Sequence, residues 1–440
     1  MQNIYILSLG CPKNLADSEN MLGILQKEGY QIVEQPQIAD VIIVNTCGFI
    51  QSAKEESIEE TLQMAEYKKT GQCKKLILAG CLSQRYAKEL LLELTEVDAV
   101  TGAHAWTDIA CIVKRTLNSE RFIFLPEQPE LKTVLPRLLM EAGNTAYLKI
   151  AEGCDNVCSY CAIPLIRGPY VSKPLDIVLS EARQLAKNGI SEIVLVAQDV
   201  TRYGEDFSGK LILPDLLQQL CHIDGIEWIR ILYAYPQNIT DELIETIAKQ
   251  DKICKYIDIP LQHISDTVLN RMNRRDCKAE IIDLLNKMRK NIPNLCIRTT
   301  FIVGFPGETE EEFAELIHFV EEQRFDRVGI FTYSLEEGTV AADMQQLEDS
   351  IKEERYKQLS AVQAQISEQI NISLEGKELT VIIDDINEDE SIVLARSYRE
   401  APEIDGVIYL ENAKNLTKGK FVKARVEQGF TYDLLAEVIN

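Results

Sequence analysis

Short apolar runs alternate with helical patterns along most of this chain. Four runs in the N-terminal third are rich in Ile, Leu and Val, as buried parallel strands are, and lie at 4–9, 41–44, 76–79 and 97–101. Six more runs alternate with helical patterns between 146 and 333. The alternation predicts an α/β fold with a doubly wound parallel sheet followed by an open, partial (βα)6 barrel, because a full barrel needs eight units.

The predicted domain boundaries follow changes in this pattern. We expect an N-terminal domain at 1–118, a proline-containing linker at 119–139, and the barrel with its exit helix at 140–371. The remaining stretch, 372–440, has short alternating segments separated by glycine and charged turns. This pattern predicts a small all-β domain.

Charge and hydrophobicity restrict the partners of the chain. Lys and Arg total 46 against 69 Asp and Glu, a net charge of −23, which repels phosphate backbones. No apolar run has the length of a membrane span, and the N-terminus lacks the basic start of a signal peptide. We therefore expect a cytoplasmic protein with no membrane partner and no direct nucleic-acid substrate. In such a protein the 12 cysteines are metal ligands or core residues rather than disulfides.

Three of the cysteines, Cys154, Cys158 and Cys161, follow the first strand of the second series and are called the loop triad. Three thiolates on one loop can hold three corners of an iron–sulfur cluster and leave the fourth open for a substrate or cofactor. Structural zinc requires four ligands, usually in two separated pairs. Zinc or unliganded core cysteines remain the alternative interpretation.

A second group, Cys11, Cys47 and Cys81, is called the strand triad because each member follows a predicted parallel strand. The carboxyl ends of parallel strands share one edge of a sheet, so these cysteines can converge. Glycines at 10, 48 and 80 would let the backbone approach a bulky cluster. The sequence thus favours a second cluster, with three buried cysteines as the alternative.

The loop triad, with Tyr160 before its last cysteine, resembles the signature of the radical S-adenosylmethionine (SAM) superfamily. Together with the strand triad and the terminal β-domain, it makes the whole chain similar to the methylthiotransferases. The resemblance implies two [4Fe-4S] clusters, SAM as cofactor, an external electron donor, and a TRAM domain at the C-terminus. It does not identify the sulfur donor.

The stretches 8–19 and 197–199 resemble the RimO-type branch of that family. This branch adds a methylthio group to the β-carbon of an aspartate in small-subunit ribosomal protein twelve. The net charge of −6 at 372–440 suits a basic ribosomal protein better than RNA, although lysines between 414 and 423 could form a local basic face. The alternatives are a methylthiotransferase acting on an adenosine of transfer RNA and a non-catalytic iron–sulfur or zinc scaffold.

The resemblance and the strand-end positions also indicate residues that would contact SAM. These are Tyr160, Gln198, Asp199, Gln262, His263 and Gly304. No acid–base catalyst beyond the cluster ligands is expected, because the difficult chemistry belongs to the cofactors.

Overall fold

The computed structural model describes residues 2–118, 121–129, 131–140, 143–387, 392–411, 413 and 415–439. Its N-terminal unit is a six-stranded, all-parallel sheet of order β2-β1-β3-β4-β5-β6. The strands are β1 Asn3–Ser8, β2 Gln31–Ile32, β3 Val41–Thr46, β4 Lys75–Gly80, β5 Ala99–Thr101 and β6 Phe122–Phe124. The helices are α1 Pro12–Lys27, α2 Gln51–Thr70, α3 Cys81–Arg85, α4 Ala87–Glu93 and α5 Ile109–Asn118.

Alternation along the strands separates two apolar cores. In β3, Val41 and Ile43 pack with α1 and α5, whereas Ile42 and Val44 pack with α2 and α4 on the other face. Helices therefore cover both faces of the sheet, and the predicted doubly wound architecture is confirmed. A break at Tyr86 separates α3 from α4.

The stretch 119–139, interpreted above as a linker, carries β6, which pairs with β5. Leu131 lies in the core beside α1, and Arg137 Nε donates to Glu19 Oε2 at 2.8 Å. This stretch therefore packs on the N-terminal unit.

The central unit is an open sheet of six parallel strands in the order β14-β13-β12-β11-β10-β7, as the (βα)6 prediction requires. Its strands are β7 Thr145–Lys149, β10 Glu192–Val196, β11 Trp228–Ile231, β12 Ile253–Gln262, β13 Cys296–Val303 and β14 Arg327–Thr332, with a small hairpin of β8 Ala151–Glu152 and β9 Val171–Ser172. Its helices are α6 Ile163–Arg167, α7 Leu175–Lys187, α8 Glu205–Ser208, α9 Leu213–Cys221, α10 Asp241–Lys249, α11 Asp266–Arg271, α12 Lys278–Asn291, α13 Glu310–Gln323 and α14 Asp349–Ile372.

The C-terminal unit is a closed five-stranded barrel of order β15-β16-β17-β19-β18, which confirms the predicted all-β domain. Its strands are β15 Glu378–Asn387, β16 Ile392–Ser397, β17 Ile408–Glu411, β18 Phe421–Gly429 and β19 Leu434–Ile439. Lys418, Lys420 and Lys423 are exposed on it, whereas Lys414 lies outside the described residues.

The connection from β16 to β17 closes the amino-terminal end of the central barrel. The Tyr147 hydroxyl donates to the Pro402 carbonyl at 3.2 Å, and the Tyr256 hydroxyl donates to Asp405 Oδ2 at 2.7 Å. Beside them, the buried Glu192 accepts from Arg230 and from Arg396 of β16, each at 2.9 Å. The amino-terminal end of the central barrel is thus formed by residues of two units.

Among the described helices, none combines the length and apolarity that crossing a membrane requires.

Candidate functional site

The loop triad lies between β8 and α6, at the carboxyl end of the central barrel. The Cys154 amide donates to the Gly168 carbonyl at 3.1 Å, and the Ser159 amide donates to the Met272 carbonyl at 2.9 Å. The Asn273 side-chain amide donates to the Val157 carbonyl at 2.7 Å. Neighbouring segments therefore hold the loop at both ends and in its middle.

The thiols of Cys154 and Cys161 both lie close enough to Cys158 for it to affect their ionisation. Burial raises the pKa of Cys154 to about 11 and that of Cys161 to about 12, and the Cys158 thiol shifts both in the same direction. The thiolate is the form that binds metal, so loading iron here releases protons.

The donor chemistry of this loop suits a cluster. No three His, Cys, Asp or Glu side chains of the described residues surround a single metal ion. Iron–sulfur clusters are bound by cysteine thiolates, and the three thiols of this loop are donors of that kind.

Two of the predicted SAM contacts have unused hydrogen-bonding capacity at the same barrel edge. Gln198 follows β10 and donates its amide to Glu152 Oε1 at 3.1 Å, while its buried Oε1 has no partner in the described structure. Gln262 ends β12 with a positive φ of 70°, and its buried Oε1 also lacks a partner there. Buried amide oxygens usually have a donor, so both positions suit a polar ligand.

Asp199 and Tyr160 have protein partners. The carboxylate of Asp199 accepts from Thr201 Oγ1 at 2.6 Å, from Asn238 Nδ2 at 3.1 Å and from Asn156 Nδ2 at 3.3 Å, and so fastens the triad loop. Tyr160 is partly buried and packs with an apolar cluster that includes Met272 and Phe305. Burial, with Cys158 close by, raises the pKa of its hydroxyl well above the usual value.

His263 and Gly304 share one partner, Glu308. The fully buried His263 ring lies 3.0 Å from Glu308 Oε1, and Oε2 of the same carboxylate accepts from the Gly304 amide and from Arg355. Gly304 has φ +71°, and a Cβ there would lie 2.4 Å from Cγ of Lys352. These contacts connect β12, β13 and α14 around the barrel edge.

The strand triad is assembled by three neighbouring strands. Cys11, Cys47 and Cys81 follow β1, β3 and β4, which are adjacent in the sheet, so the cysteines lie at one edge as predicted. A Cβ on Gly10 would lie 2.8 Å from Cys47 Sγ. Burial raises the pKa of Cys47 to about 12, with Cys81 and Cys11 adding to the shift.

Arg167, the last residue of α6, connects the two triads. Its Nε lies 3.4 Å from Cys81 Sγ, although α6 begins only two residues after Cys161. Its Nη1 donates to Asp17 at 2.9 Å and to Glu152 at 3.0 Å. Lys149 contacts the same two carboxylates, so two cations and two anions form a buried network between the units. Because each charge has opposite partners, the network can remain buried.

Lys13, two residues after Cys11, also lies between the units. Its Nζ is 3.5 Å from the centre of the Tyr233 ring, and Tyr233 follows β11 at the edge of the central barrel. Burial alone would lower the pKa of Lys13, but Tyr233 and Cys11 raise it above the ordinary value. Lys13 therefore presents a buried positive charge at the meeting point of the two units.

Known proteins resemble each of these units and the chain as a whole. Residues 3–102 match the family described as "Uncharacterized protein family UPF0004", residues 148–320 match the Radical SAM superfamily, and residues 376–439 match the TRAM domain. The protein named ribosomal protein uS12 methylthiotransferase RimO from Geotalea uraniireducens is 48% identical, with 100% of this chain and 98% of that protein aligned. Its namesake from Clostridioides difficile is 44% identical over 100% of this chain and 99% of that protein. The chain belongs to the uS12 methylthiotransferase RimO family.

Solved structures agree with this fold. The radical SAM methyltransferase TsrM from Kitasatospora setae has a TM-score of 0.59 at 12% identity, covering 78% of this chain and 77% of that one. The cobalamin-dependent SAM radical enzyme OxsB has a TM-score of 0.52 at 13% identity, covering 83% and 56%. Membership of the RimO family and the radical SAM superfamily confirms the predicted enzyme class, and with it SAM and [4Fe-4S] clusters as cofactors.

In this RimO-family chain, the charged groups between the triads were not predicted from the sequence. Lys13 and Asp17 lie inside the stretch 8–19 that indicated the branch, and Glu152 and Arg167 flank the loop triad. Their positions beside the cysteines were a usable signal. On the barrel strands, Arg230 pairs with Glu192 and Arg298 pairs with Asp258.

Proposed function

We propose that this chain adds a methylthio group to the β-carbon of an aspartate side chain in small-subunit ribosomal protein uS12. Full-length similarity to proteins named ribosomal protein uS12 methylthiotransferase RimO supports uS12 as the substrate. The observation that carries the proposal is the contact of Arg167, which ends the helix after the loop triad, with Cys81 of the strand triad. Two cysteine sites connected in this way suit a reaction with one radical step and one sulfur-transfer step.

In this proposal the loop triad holds the cluster that binds SAM, and the strand triad holds the second cluster. When bound, these groups supply radical generation and sulfur for transfer. The chain would contribute the placement of these groups. The unpartnered amide oxygens of Gln198 and Gln262 would accept hydrogen bonds from SAM, and the network of Arg167 and Lys149 would hold the two units together. Four further residues are proposed to shape the SAM pocket: Tyr160, Asp199, His263 and Gly304.

In the same proposal, each unit has its own role. Residues 1–118 carry the second cluster, 140–371 carry the radical site, and 372–440 form the TRAM domain, with 119–139 between the first two. An external electron donor is required, and the substrate on the ribosome implies a location in the cytoplasm. The strongly acidic surface, with a net charge of −23, favours a basic protein substrate.

The test is to incubate the anaerobically reconstituted protein with SAM, a reductant and either recombinant uS12 or transfer RNA, followed by mass analysis of both substrates. We expect one methylthio group on an aspartate of uS12 and unmodified transfer RNA. A methylthio-adenosine with unmodified uS12 would refute the proposed substrate. Absence of deoxyadenosine under reducing conditions would refute the radical activity itself.

A further inference from the structure

Lys13 differs from the other buried lysines of this protein. Four lysines of the described residues have less than a tenth of their surface exposed: Lys13, Lys149, Lys173 and Lys352. The last three each have a carboxylate within 2.9 Å, on Asp17 and Glu152, Glu181 and Asp349 respectively. Lys13 is 8% exposed and, within the described part of the chain, has no carboxylate in ion-pair contact. Its Nζ lies 3.5 Å from the centre of the Tyr233 ring, and its other neighbours include the Tyr233 hydroxyl and the Cys11 thiol.

An ammonium group in such a position lacks part of what burial requires. A buried charge is normally paired, because the loss of water is costly unless an opposite charge replaces it. A ring face satisfies one side of an ammonium that has three hydrogens to donate. The structure therefore leaves Lys13 with capacity for an anion.

The place of Lys13 identifies what kind of anion would reach it. It lies in the first turn of α1, immediately after Cys11 and Pro12. Tyr233, beneath it, stands at the carboxyl end of β11, and its amide donates to Asp258 Oδ2 at 3.1 Å. The backbone of Tyr233 has φ 61°, a conformation that costs free energy in a non-glycine residue and is held here by its surroundings. Any anion beside Lys13 is thus between the strand triad and the barrel edge.

We infer that Lys13 binds the carboxylate of the substrate aspartate and determines the preference for an acidic side chain. This inference rests on the proposed function. The carboxyl carbon of aspartate is bonded directly to the β-carbon, so an ion pair between Lys13 and the carboxylate oxygens would hold the reacting carbon one bond away from the anchored carboxyl carbon. Lys13 is then a specificity-determining residue, and Tyr233 positions its ammonium group.

The test compares peptides that differ only in charge at the reacting residue. A fluorescent uS12 peptide containing the aspartate, and the same peptide with asparagine in its place, are titrated anaerobically with the full-length reconstituted protein, and binding is followed by anisotropy. The variants are Lys13→Met, which keeps the length of the side chain without its charge, and Lys13→Arg, which keeps the charge. Lys27→Met is the matched control, because Lys27 is exposed at the other end of the same helix.

We expect the unaltered protein and Lys27→Met to bind the aspartate peptide at least about tenfold more tightly than the asparagine peptide, since a charge-assisted contact is worth one order of magnitude or more. In Lys13→Met the two peptides should bind within about twofold of each other, because only the aspartate peptide becomes weaker, and Lys13→Arg should recover part of the difference.

A preference for aspartate that survives in Lys13→Met would overturn the inference. So would equal weakening of both peptides, or loss of bound iron in Lys13→Met, because Lys13 would then serve the strand triad. In each of these cases the unaltered protein still modifies uS12, so the proposed function stands. If the unaltered protein modifies only transfer RNA, the proposed function and this inference both fail.

Discussion

The two cysteine triads are assembled by different parts of the structure. The loop triad is contained in residues 154–161, and its three cysteines are partly exposed on a single loop. The strand triad spans 11–81, and Cys47 and Cys81 are buried at the ends of β3 and β4. A local triad depends on its own loop, whereas a dispersed one exists only when the sheet has formed with the correct strand order. The two sites should therefore respond differently to the same kind of damage.

The largest effect is expected from removing each triad separately. With both sites loaded the protein should hold about eight irons, and Cys154→Ala/Cys158→Ala/Cys161→Ala should hold about four and form no deoxyadenosine from SAM. Cys11→Ala/Cys47→Ala/Cys81→Ala should also keep about four irons, yet still cleave SAM without producing a methylthio group. Iron analysis and product mass spectrometry measure both. Identical loss of SAM cleavage in the two variants would contradict the separation of the sites.

The second effect tests the dependence of the strand triad on close backbone packing. Gly10→Ala places a methyl group 2.8 Å from Cys47 Sγ, at a residue with φ +84°. We expect iron at the strand triad to be lost while the loop triad keeps its about four irons. Gly29→Ala is the matched control, because φ is +89° there and a Cβ would meet no atom within 4 Å. The control should cost about 1 kcal/mol of stability and no iron; equal iron loss in both variants would assign the effect to backbone strain.

The third prediction concerns the residue that joins the triads. Arg167→Gln removes one of two cations from a buried network and should lower the free energy of unfolding by about 3–5 kcal/mol. It also removes the donor to Cys81 Sγ, so the reduction potential of the strand-triad cluster should become more negative. Arg85→Gln breaks a different buried contact between units, with Glu336, and should lower stability without shifting that potential. Redox titration followed by electron paramagnetic resonance distinguishes the two, and an unchanged potential in Arg167→Gln would show that its role is only structural.

The smallest effect on the triads is expected at the far end of the central barrel. Burial would raise the pKa of Glu192, but Arg396 and Arg230 outweigh it and lower the pKa from 4.5 to about 2. The carboxylate therefore contributes about 3 kcal/mol of stability, which is fully present above pH 4.5 and is lost as the pH falls through about 2. Glu192→Gln should lose this part of the acid dependence in denaturant titrations while keeping both clusters at neutral pH. An acid dependence identical to that of the unaltered protein would exclude the buried ion pair.

Sequence patterns were sufficient to predict the features that depend on residues close together in the chain. The apolar runs predicted most strands of both parallel sheets. The spacing of the loop triad predicted an iron–sulfur site. The strand triad could be placed at one edge only because parallel strands impose it. Strand β2, with two residues, and β6, inside a proline-containing stretch, lack the length or composition that would distinguish them from loops. Arg167 and Cys81 are 86 residues apart, and no local pattern predicts that they meet.

The contacts of the TRAM domain with the amino-terminal end of the central barrel limit how domains of this protein can be exchanged. The loop between β16 and β17 supplies the Pro402 carbonyl and the Asp405 carboxylate to tyrosines of β7 and β12. A TRAM domain taken from a distant relative would place a different loop at the amino-terminal end of the central barrel. A chimera with an exchanged domain would therefore have to preserve or replace the contacts that Tyr147, Tyr256 and Glu192 of the barrel make with it.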